Sequence, residues 1–472
     1  MGVLSSKKTI ASIFKVALSN LIKLLSGVLV GFLLPKIIGV TDYGYYKTFT
    51  LYATYVALFH FGFIDGIYLV YSGKSYDVLD KKAFRLFSRF FFLMETIISI
   101  ILCITAFFIL EGELKFIFVC LSVYLLANNI TGYFQLLSQV TGRFTELSIR
   151  NIIQSVLTIL SIVILWVMHK FFKYEINYYM YTIIYIFILS LLCTWYIFTY
   201  RDIVFYEREK FINHKKEIVD FFKIGFPLLI ANLSSTLILT VDRQFVNILF
   251  STETYAIYAF AYNMLSLITT ALSAISTVLY PVMKQNSFQS LKSVYNKLIL
   301  WVLIIVFMCL NVYFPLCWFV EWFLPKYIDS LLIFRIILPG LASSSAITII
   351  MHNYYKMLGK NGLFFLKSIF ILVVSCIANI IAYLCFKNTI SISIASVIVS
   401  IIWYVIIEVY FIRNYKIPWI KNFIYMICMM ILFYIITCIE LLYVSMILYL
   451  VSFVIVSLLF YYPEIKSLFI KK

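Results

Sequence analysis

The stretch SRFFFLMETIISIILCITAFFIL, Ser88–Leu110, decides the fold class of this chain. It is apolar over nearly its whole length, and as a helix it is long enough to cross the roughly 30 Å hydrocarbon core of a bilayer. Three basic residues, Lys81, Lys82 and Arg85, stand just before it. A long apolar run with a basic cluster at one end is typical of a helix that spans a membrane.

Similar apolar runs recur along all 472 residues and account for the composition. Hydrophobic residues make up 64% of the chain, charged residues only 12%, and the mean hydropathy is +1.01. Soluble domains are roughly 45 to 50% apolar, so a water-soluble fold is excluded. The sequence instead predicts an all-α polytopic membrane protein with fourteen transmembrane helices. The predicted spans are 14–34, 48–71, 88–110, 116–139, 149–168, 177–199, 221–249, 255–283, 297–320, 331–355, 363–386 and 390–412, followed by a helix hairpin within 422–462.

The net charge of +17 is distributed in a way that sets the topology. In a soluble protein such a charge would suggest nucleic acid as a partner. Here 28 of the 38 Lys and Arg residues fall in the loops of one side and 8 in the loops of the other, while Lys23 and Arg243 lie within spans. This alternation obeys the positive-inside rule and predicts that both termini are cytoplasmic. We therefore expect no nucleic-acid partner.

The two halves of the chain resemble each other. FKVALSNLI from Phe14 is repeated as FKIGFPLLI from Phe222, and TDYGYY from Thr41 as ETYAIY from Glu253. Because six predicted helices separate the repeats, both halves begin on the same side of the membrane. We expect two parallel six-helix lobes around a central cavity. The predicted domains are an N-terminal lobe 1–199, a basic cytoplasmic connector 200–220, a C-terminal lobe 221–412, and a hairpin with a tail 413–472.

Polar residues recur at helical spacing in four of the predicted spans. Asn128 and Gln135 share one face of the fourth span, and Asn151 and Gln154 share one face of the fifth. Polar side chains of this kind either join helices within a membrane or line a water-filled cavity. On the second interpretation these four amides are candidate substrate-binding residues. The pattern repeats as Tyr262, Ser266 and Thr269 in the eighth span and as Ser345, Thr348 and His352 in the tenth.

Ionisable residues inside spans are rare because each costs about 2.5–3.5 kcal/mol at the helix centre on insertion scales. Lys23, Asp65 and Glu95 fall at similar depths on the first three spans, so Lys23 is expected to pair with one of the carboxylates. Two interpretations stay open. The pair could be structural, or Lys23 could bind an anion while a carboxylate exchanges H⁺ or Na⁺.

Three further ionisable residues are candidates for function. His60 lies near the middle of the second span, where a lone histidine is either a packing residue or a proton relay. Asp242 and Arg243 are adjacent in the seventh span and cannot face the same direction, so one should face a cavity while the other packs or snorkels. The candidate ion-coupling residues are Asp65, Glu95, Asp242 and His60, and the candidate anion-binding residues are Lys23 and Arg243. Glu408 is expected to be interfacial.

Four segments resemble a known family. They are LLPKIIGVTDYGYYKTFTLYATYVALFHFGFIDGI from Leu33, VDRQFVNILFSTETYAIYAFAYNML from Val241, the GRF that ends at Phe144, and YYKMLGKNG from Tyr354. Together they resemble the polysaccharide-transporter, or O-antigen flippase, branch of the superfamily that also contains multidrug extruders and lipid II flippases.

The resemblance implies a flippase for an undecaprenyl-pyrophosphate-linked oligosaccharide, such as an O-antigen, capsule or exopolysaccharide repeat unit, in the bacterial plasma (inner) membrane. Lys23 and Arg243 would then bind the pyrophosphate. Alternating access would move the cargo, with the bilayer and other polysaccharide-assembly proteins as partners. No cofactor is expected, and coupling to H⁺ or Na⁺ is left open.

Two other classes of transporter and one class of enzyme compete with this interpretation. A multidrug cation antiporter and a lipid II flippase share the superfamily. A membrane glycan polymerase is disfavoured because the predicted outside loops are short. The sequence contains no Walker A motif, which argues against direct use of ATP.

The predicted topology can be tested at the connector. A His214→Cys variant in a background without native cysteines should resist a membrane-impermeant thiol reagent in intact cells, because the connector is predicted to be cytoplasmic. Labelling should appear once the membrane is permeabilised. Labelling of intact cells would contradict the topology.

Overall fold

The computed structural model describes the backbone of residues 7–284 and 288–469 and the side chains of residues 18–272, 283 and 291–464. Within these ranges helix follows helix, and no strand occurs. A π-helix, Ala346–Met351, joins α14 to α15. The α-helices are α1 (Lys7–Ile37), α2 (Val40–Val56), α3 (Phe63–Tyr71), α4 (Lys81–Ile109), α5 (Gly112–Val140), α6 (Phe144–Phe172), α7 (Tyr178–Thr199), α8 (Phe211–Ile238), α9 (Val241–Leu249), α10 (Thr252–Lys284), α11 (Phe288–Cys309), α12 (Tyr313–Phe323), α13 (Ser330–Ile337), α14 (Leu341–Ser345), α15 (His352–Met357), α16 (Asn361–Phe386), α17 (Thr389–Tyr415), α18 (Ile420–Ile436) and α19 (Leu442–Phe469).

The predicted fold class is confirmed. Twelve helical segments of the described chain are long and apolar enough to cross a membrane, and α18 is a shorter apolar helix. Together, α18 and α19 form the predicted C-terminal hairpin. The remaining predicted span, the second, coincides with α2 and α3. The chain is therefore a multi-pass, all-α membrane protein.

Four predicted spans are interrupted, which the hydropathy pattern did not indicate. The second span breaks between α2 and α3, where Phe61 and Gly62 have left-handed backbone angles, φ 49° and φ 85°. The seventh breaks between α8 and α9, and the ninth contains a short 3₁₀ turn between α11 and α12. The tenth contains a 3₁₀ turn, Leu338–Gly340, between α13 and α14, and the π-helix between α14 and α15. Hydropathy measures the apolar character of a run, and these breaks occur without loss of that character.

The chain forms two compact units, Met1–Thr236 and Leu237–Lys472. The boundary falls near the end of α8, whereas the second lobe was predicted to begin at residue 221. Nearly all of α8 thus belongs to the first unit. The predicted domain boundaries remain a prediction. A close backbone contact with α3 holds α8 in the first unit.

Three glycines bring the backbone of α3 against the backbone of α8. A Cβ at Gly62 would lie 2.6 Å from the amide nitrogen of Phe226, and a Cβ at Gly66 would collide with the carbonyl oxygen of Phe221. A Cβ at Gly225 would collide with the carbonyl oxygen of Gly62. Small residues permit this approach between helices in a membrane. The α3–α8 contact therefore requires glycine at all three positions.

Two arginines of α4 hold the connector that precedes α8. Arg85 donates from Nε to the carbonyl of Asp202 at 2.7 Å and from Nη1 to that of Glu207 at 2.8 Å. Arg89 donates from Nε to the carbonyl of Val204 at 2.9 Å, and its Nη2 binds one further connector carbonyl. The connector is therefore fixed along α4 by side-chain to backbone hydrogen bonds.

The glycine contact makes a prediction about stability. Gly225→Ala should lower the thermal stability of the purified protein in detergent micelles, because its methyl group would collide with the Gly62 carbonyl. Overpacking of this kind costs about 1–3 kcal/mol.

The matched control is Gly132→Ala on α5, where an added Cβ meets nothing within 4 Å. This variant should unfold at or slightly above the wild-type temperature, because alanine favours helix more than glycine does. Equal unfolding temperatures for the two variants would show that the α3–α8 contact is not tight.

Candidate functional site

Glu95, a predicted ion-coupling residue, lies in a buried polar chain between α4 and α5. Its side chain is 0% exposed, and its Oε2 accepts a hydrogen bond from Nδ2 of Asn129 at 2.9 Å. Its Oε1 has no hydrogen-bond partner among the described residues. Asn128 donates in turn to Oδ1 of Asn129 at 3.3 Å. The structure thus brings together two predicted residues, Glu95 and Asn128, through Asn129.

Asn129 was not predicted, because it lies off the face that contains Asn128 and Gln135. The helical spacing indicated which amides share a face, but it did not indicate which amide would form a hydrogen bond with the Glu95 carboxyl. A signal was nevertheless present, since Asn129 is a second amide within an apolar span. A buried amide needs a partner, and Glu95 provides it.

His60 and Asp65 lie at the break between α2 and α3. The backbone N–H of Gly62 donates to Nδ1 of His60 at 3.2 Å, and Oδ2 of Asp65 lies 3.9 Å from the same nitrogen. An Nδ1 that accepts a hydrogen bond carries no proton, so the contact with Asp65 is not an ion pair in this arrangement. His60 therefore stabilises the turn, and Asp65 is its nearest carboxylate.

Lys23 does not form the predicted ion pair. Its side chain is exposed, and none of the ion pairs among the described residues includes it. Asp65 instead lies beside His60, and Glu95 is buried with Asn129. The structure therefore corrects the expected pairing and leaves Lys23 as a cation that the described carboxylates do not neutralise.

The exposed side of α1 that carries Lys23 is polar. α1 packs along α6, and Ser19 and Ser26 are buried residues of α1. Asn20 and Lys23 are exposed on one side of the buried row, and Leu21 and Leu25 are exposed on the other. The leucine side suits lipid, and the side with Asn20 and Lys23 suits water or a polar ligand.

The remaining predicted amides of the first unit are half-buried. Gln135 lies on α5 and faces Tyr196, while Asn151 and Gln154 lie on α6. No hydrogen bond joins Asn151 or Gln154 to Lys23 in the described part of the chain. Their role in substrate binding stays a prediction.

In the second unit, Asp242 and Arg243 begin the short helix α9. Asp242 is 2% exposed and accepts hydrogen bonds from the hydroxyl of Tyr258, at 2.8 Å, and from the hydroxyl of Tyr262. The guanidinium of Arg243 lies 4.7 Å from the ring centre of Tyr262 and donates to the carbonyl of Leu239 at 3.0 Å. Among the described residues Arg243 forms no ion pair.

Both residues line a cavity of about 500 Å³ within the second unit. We expected only one of them to face a cavity, and this is wrong because the break before α9 places both at its edge. The polar faces predicted for the eighth and tenth spans also reach it. The residues of these two faces that line the cavity are Tyr262, Ser266, Thr269, Ser345 and Thr348.

His352 does not share the cavity with the other residues of its predicted face. Its ring stacks on Phe364 with centres 4.2 Å apart and an angle of 9° between the planes, and the side chain is buried. The π-helix that ends at Met351 changes the helical register just before His352. A spacing rule for an α-helix fails across such a change.

Glu408 is buried and not interfacial as expected. It is 0% exposed, and its Oε2 accepts a hydrogen bond from the hydroxyl of Tyr295 at 2.6 Å. Nearby, Lys367 binds the carbonyl of Ile406 at 2.8 Å. α17 continues past Glu408 to Tyr415, so the residue lies inside the helix and not at its end.

The Glu95–Asn129 hydrogen bond makes a prediction. Asn129→Leu should lower the free energy of unfolding by about 1–3 kcal/mol, because it leaves the buried carboxyl without its amide donor. Adding Glu95→Met should restore most of the loss, since replacing both partners with apolar groups is nearly neutral. Thermal unfolding in detergent measures both effects.

The adjacent variant Asn128→Leu serves as the control and should cost less, because Asn128 is half-buried and its hydrogen bond is longer. Additive effects of Asn129→Leu and Glu95→Met in the double variant would show that the two side chains do not interact.

Comparisons with known proteins agree with this fold. A family model described as polysaccharide biosynthesis protein matches residues 9–287. No curated protein sequence matches the chain. Among solved structures, the fold is similar to that of the lipid II flippase MurJ in an inward closed conformation, with a TM-score of 0.73 and 15% identity over 97% of this chain and 100% of that one.

Two transporters of the MATE type also have a similar fold. One is an inward-facing multidrug resistance MATE family transporter of the MOP superfamily, with a TM-score of 0.59 and 13% identity over 84% of this chain and 99% of that one. The other is the Vibrio cholerae transporter VcmN, with a TM-score of 0.56 and 13% identity over 86% of this chain and 97% of that one. These identities establish a shared fold only, whereas the family model covers more than half of the chain, which therefore belongs to the polysaccharide biosynthesis protein family.

Proposed function

We propose that this protein is a flippase that moves an undecaprenyl-pyrophosphate-linked oligosaccharide across the bacterial plasma membrane by alternating access. The cargo would be an O-antigen, capsule or exopolysaccharide repeat unit. The chain would work with both termini in the cytoplasm and alongside other polysaccharide-assembly proteins. The description of its family supports the link to polysaccharide.

The observation that carries the proposal is the extent of the fold match. The flippase structure matches 97% of this chain, which includes the C-terminal hairpin α18–α19. The multidrug transporter is matched over nearly its whole length but covers only 84% of this chain. The fuller match therefore favours a lipid-linked cargo over a multidrug cation antiporter. A lipid II flippase remains the second candidate, because its cargo carries the same kind of lipid pyrophosphate.

The cations of the two units suit such a cargo. A pyrophosphate brings negative charge into a region of low dielectric, and transfer needs fixed positive charge to offset its desolvation. Lys23 is exposed on the polar side of α1, and Arg243 lies at the edge of the cavity in the second unit. We infer that Lys23 binds the pyrophosphate at the inner leaflet and that Arg243 binds it at the outer leaflet, while the prenyl chain stays in lipid.

The buried carboxyls suit ion coupling. Glu95 and Asp242 receive hydrogen bonds from an amide and from tyrosine hydroxyls, and neither forms an ion pair among the described residues. A buried carboxylate without a cation is costly, and uptake of H⁺ or Na⁺ removes that cost. Asp65 with His60, at the break between α2 and α3, forms a second proton-exchanging pair in this proposal.

Glycan export in a deletion strain tests the function. Loss of the gene should leave a lipid-linked glycan on the inner face of the membrane, and the wild-type gene should restore export. Lys23→Ala and Arg243→Ala, at matched membrane levels, should each reduce export. Because a hydrogen bond to a charged group contributes about 1.5–3 kcal/mol, we expect a reduction on the order of ten- to a hundredfold.

Two conservative variants and one control sharpen this test. Arg243→Lys should be impaired because lysine lacks the planar fork that binds phosphate oxygens in pairs, whereas Lys23→Arg keeps the charge. Lys82→Ala removes an exposed charge at the start of α4 and should export normally. Normal export by both alanine variants would reject the proposed cation sites, and normal export by an Asp65→Asn, Glu95→Gln double variant would exclude these carboxylates from coupling.

A further inference from the structure

The cavity of the second unit has a lining that helix packing does not explain. Its volume of about 500 Å³ falls within the range of roughly 300–1,000 Å³ that small-molecule sites occupy. Interiors of packed helices contain few voids larger than a water molecule. We propose that this cavity binds a sugar residue that carries an anionic group. The inference rests on the proposed function and specifies which part of the cargo the second unit recognises.

Hydroxyl groups from three helical segments supply hydrogen-bond acceptors. Ser266 donates to the carbonyl of Asn263 at 2.7 Å, Thr348 to that of Ser344 at 2.8 Å, and Ser400 to that of Val397 at 2.7 Å. A hydroxyl that has donated its proton to its own helix still has lone pairs for a ligand. Each of these three side chains lines the cavity. The lining is therefore rich in acceptors, which complement the hydroxyl donors of a sugar.

Three residues that line the cavity each have a polar atom that is buried without a partner among the described residues. These atoms are Nε1 of Trp403, Oγ of Ser396 and Nε of Arg243. Trp403 is 0% exposed, so its indole N–H has no access to bulk water. A buried donor left unpaired is unfavourable, so a ligand oxygen that came within reach of Trp403 or Arg243 would be stabilising.

Arg243 is the group on the wall that suits an anion. Oδ2 of Asp242 accepts hydrogen bonds from the hydroxyls of Tyr258 and Tyr262, which hold this carboxylate in place. The guanidinium of Arg243 donates to one backbone carbonyl and packs on the ring of Tyr262. No described carboxylate forms an ion pair with this guanidinium, so its remaining N–H groups can bind an anion in the cavity. A phosphate or a carboxylate attached to the sugar would fit the planar fork of the arginine.

The backbone around the cavity is irregular on two sides. The break between α8 and α9 lies beside Asp242 and Arg243, and the π-helix Ala346–Met351 contains Thr348 and Ile349, which line the cavity. π-helical turns are rare and occur frequently at functional sites. Discontinuous helices mark the binding sites of many transporters. These two irregularities support a ligand site independently of the side chains.

Binding to the purified full-length protein tests the inference. The protein is placed in nanodiscs, because maltoside detergents would themselves present sugars. The probes are glucose 1-phosphate, glucuronic acid, glucose and inorganic phosphate, and calorimetry measures each dissociation constant. We expect saturable binding of at least one anionic sugar, weaker binding of glucose and of phosphate, and at least about a tenfold loss in Arg243→Gln.

The double variant Ser344→Ala, Thr348→Val removes two hydroxyls of the cavity with little change in volume. It should weaken binding of the anionic sugar about tenfold. A matched control exists in the first unit, where Thr194 donates to the carbonyl of Ser190 at 2.9 Å with the same spacing. Ser190→Ala, Thr194→Val should leave binding unchanged.

The outcomes separate the possible sources of the anion. Binding of glucose 1-phosphate but not of glucuronic acid would assign the anion to the phosphate next to the first sugar. The reverse would assign it to an acidic sugar of the glycan. The inference would be overturned if neither glucose 1-phosphate nor glucuronic acid bound. It would also be overturned if binding were unchanged in both Arg243→Gln and the Ser344→Ala, Thr348→Val double variant. Inorganic phosphate binding as tightly as the sugars would also overturn it.

The inference and the proposed function can fail separately. If the gene restores glycan export but the purified protein binds neither anionic sugar, the function stands and the sugar site is rejected. If the protein binds an anionic sugar as described but the deletion strain exports its glycan normally, the site stands and the function is rejected.

Discussion

A bilayer core offers no hydrogen-bond partners to the peptide backbone, and the two breaks that precede α3 and α9 meet that constraint internally. At the break between α2 and α3, the amide of Gly62 binds the ring of His60 and the amide of Gly66 binds the carbonyl of Gly62. At the break before α9, the amide of Thr240 binds the carbonyl of Leu237. The breaks are thus turns whose polar groups are supplied by the chain itself, and candidate functional side chains lie beside them.

The buried carboxyls also receive their hydrogen bonds from within the chain. Glu95, Asp242 and Glu408 are each nearly or fully buried, and each receives hydrogen bonds from neutral donors, namely an amide or tyrosine hydroxyls. Neutral donors stabilise a carboxylate but do not cancel its charge. This arrangement differs from the ion pair between Lys23 and a carboxylate that the depth of the residues suggested.

The sequence predicted the helical spans well because their length and apolar character follow directly from the thickness of the membrane. It also indicated the polar faces that line the cavity of the second unit, since Ser266, Thr269, Ser345 and Thr348 follow helical spacing. It did not indicate the breaks, because left-handed angles at Phe61 and Gly62 depend on the contact with α8. It also missed Asn129 as the partner of Glu95, because the rotation of α5 against α4 is set by packing and not by spacing.

The basic residues show why a count of charges alone could not identify the candidate ligand-binding cations. Arg85 and Arg89 are engaged by connector carbonyls, and Arg150 is 4% exposed with its guanidinium 4.1 Å from the ring centre of Tyr196. These residues contribute to the positive-inside pattern and also hold the first unit together. Lys23 and Arg243 differ, because they lie within apolar spans and form no ion pair with the described carboxylates. A positive charge kept in such a place without a counterion is stabilised most by a ligand that brings negative charge with it.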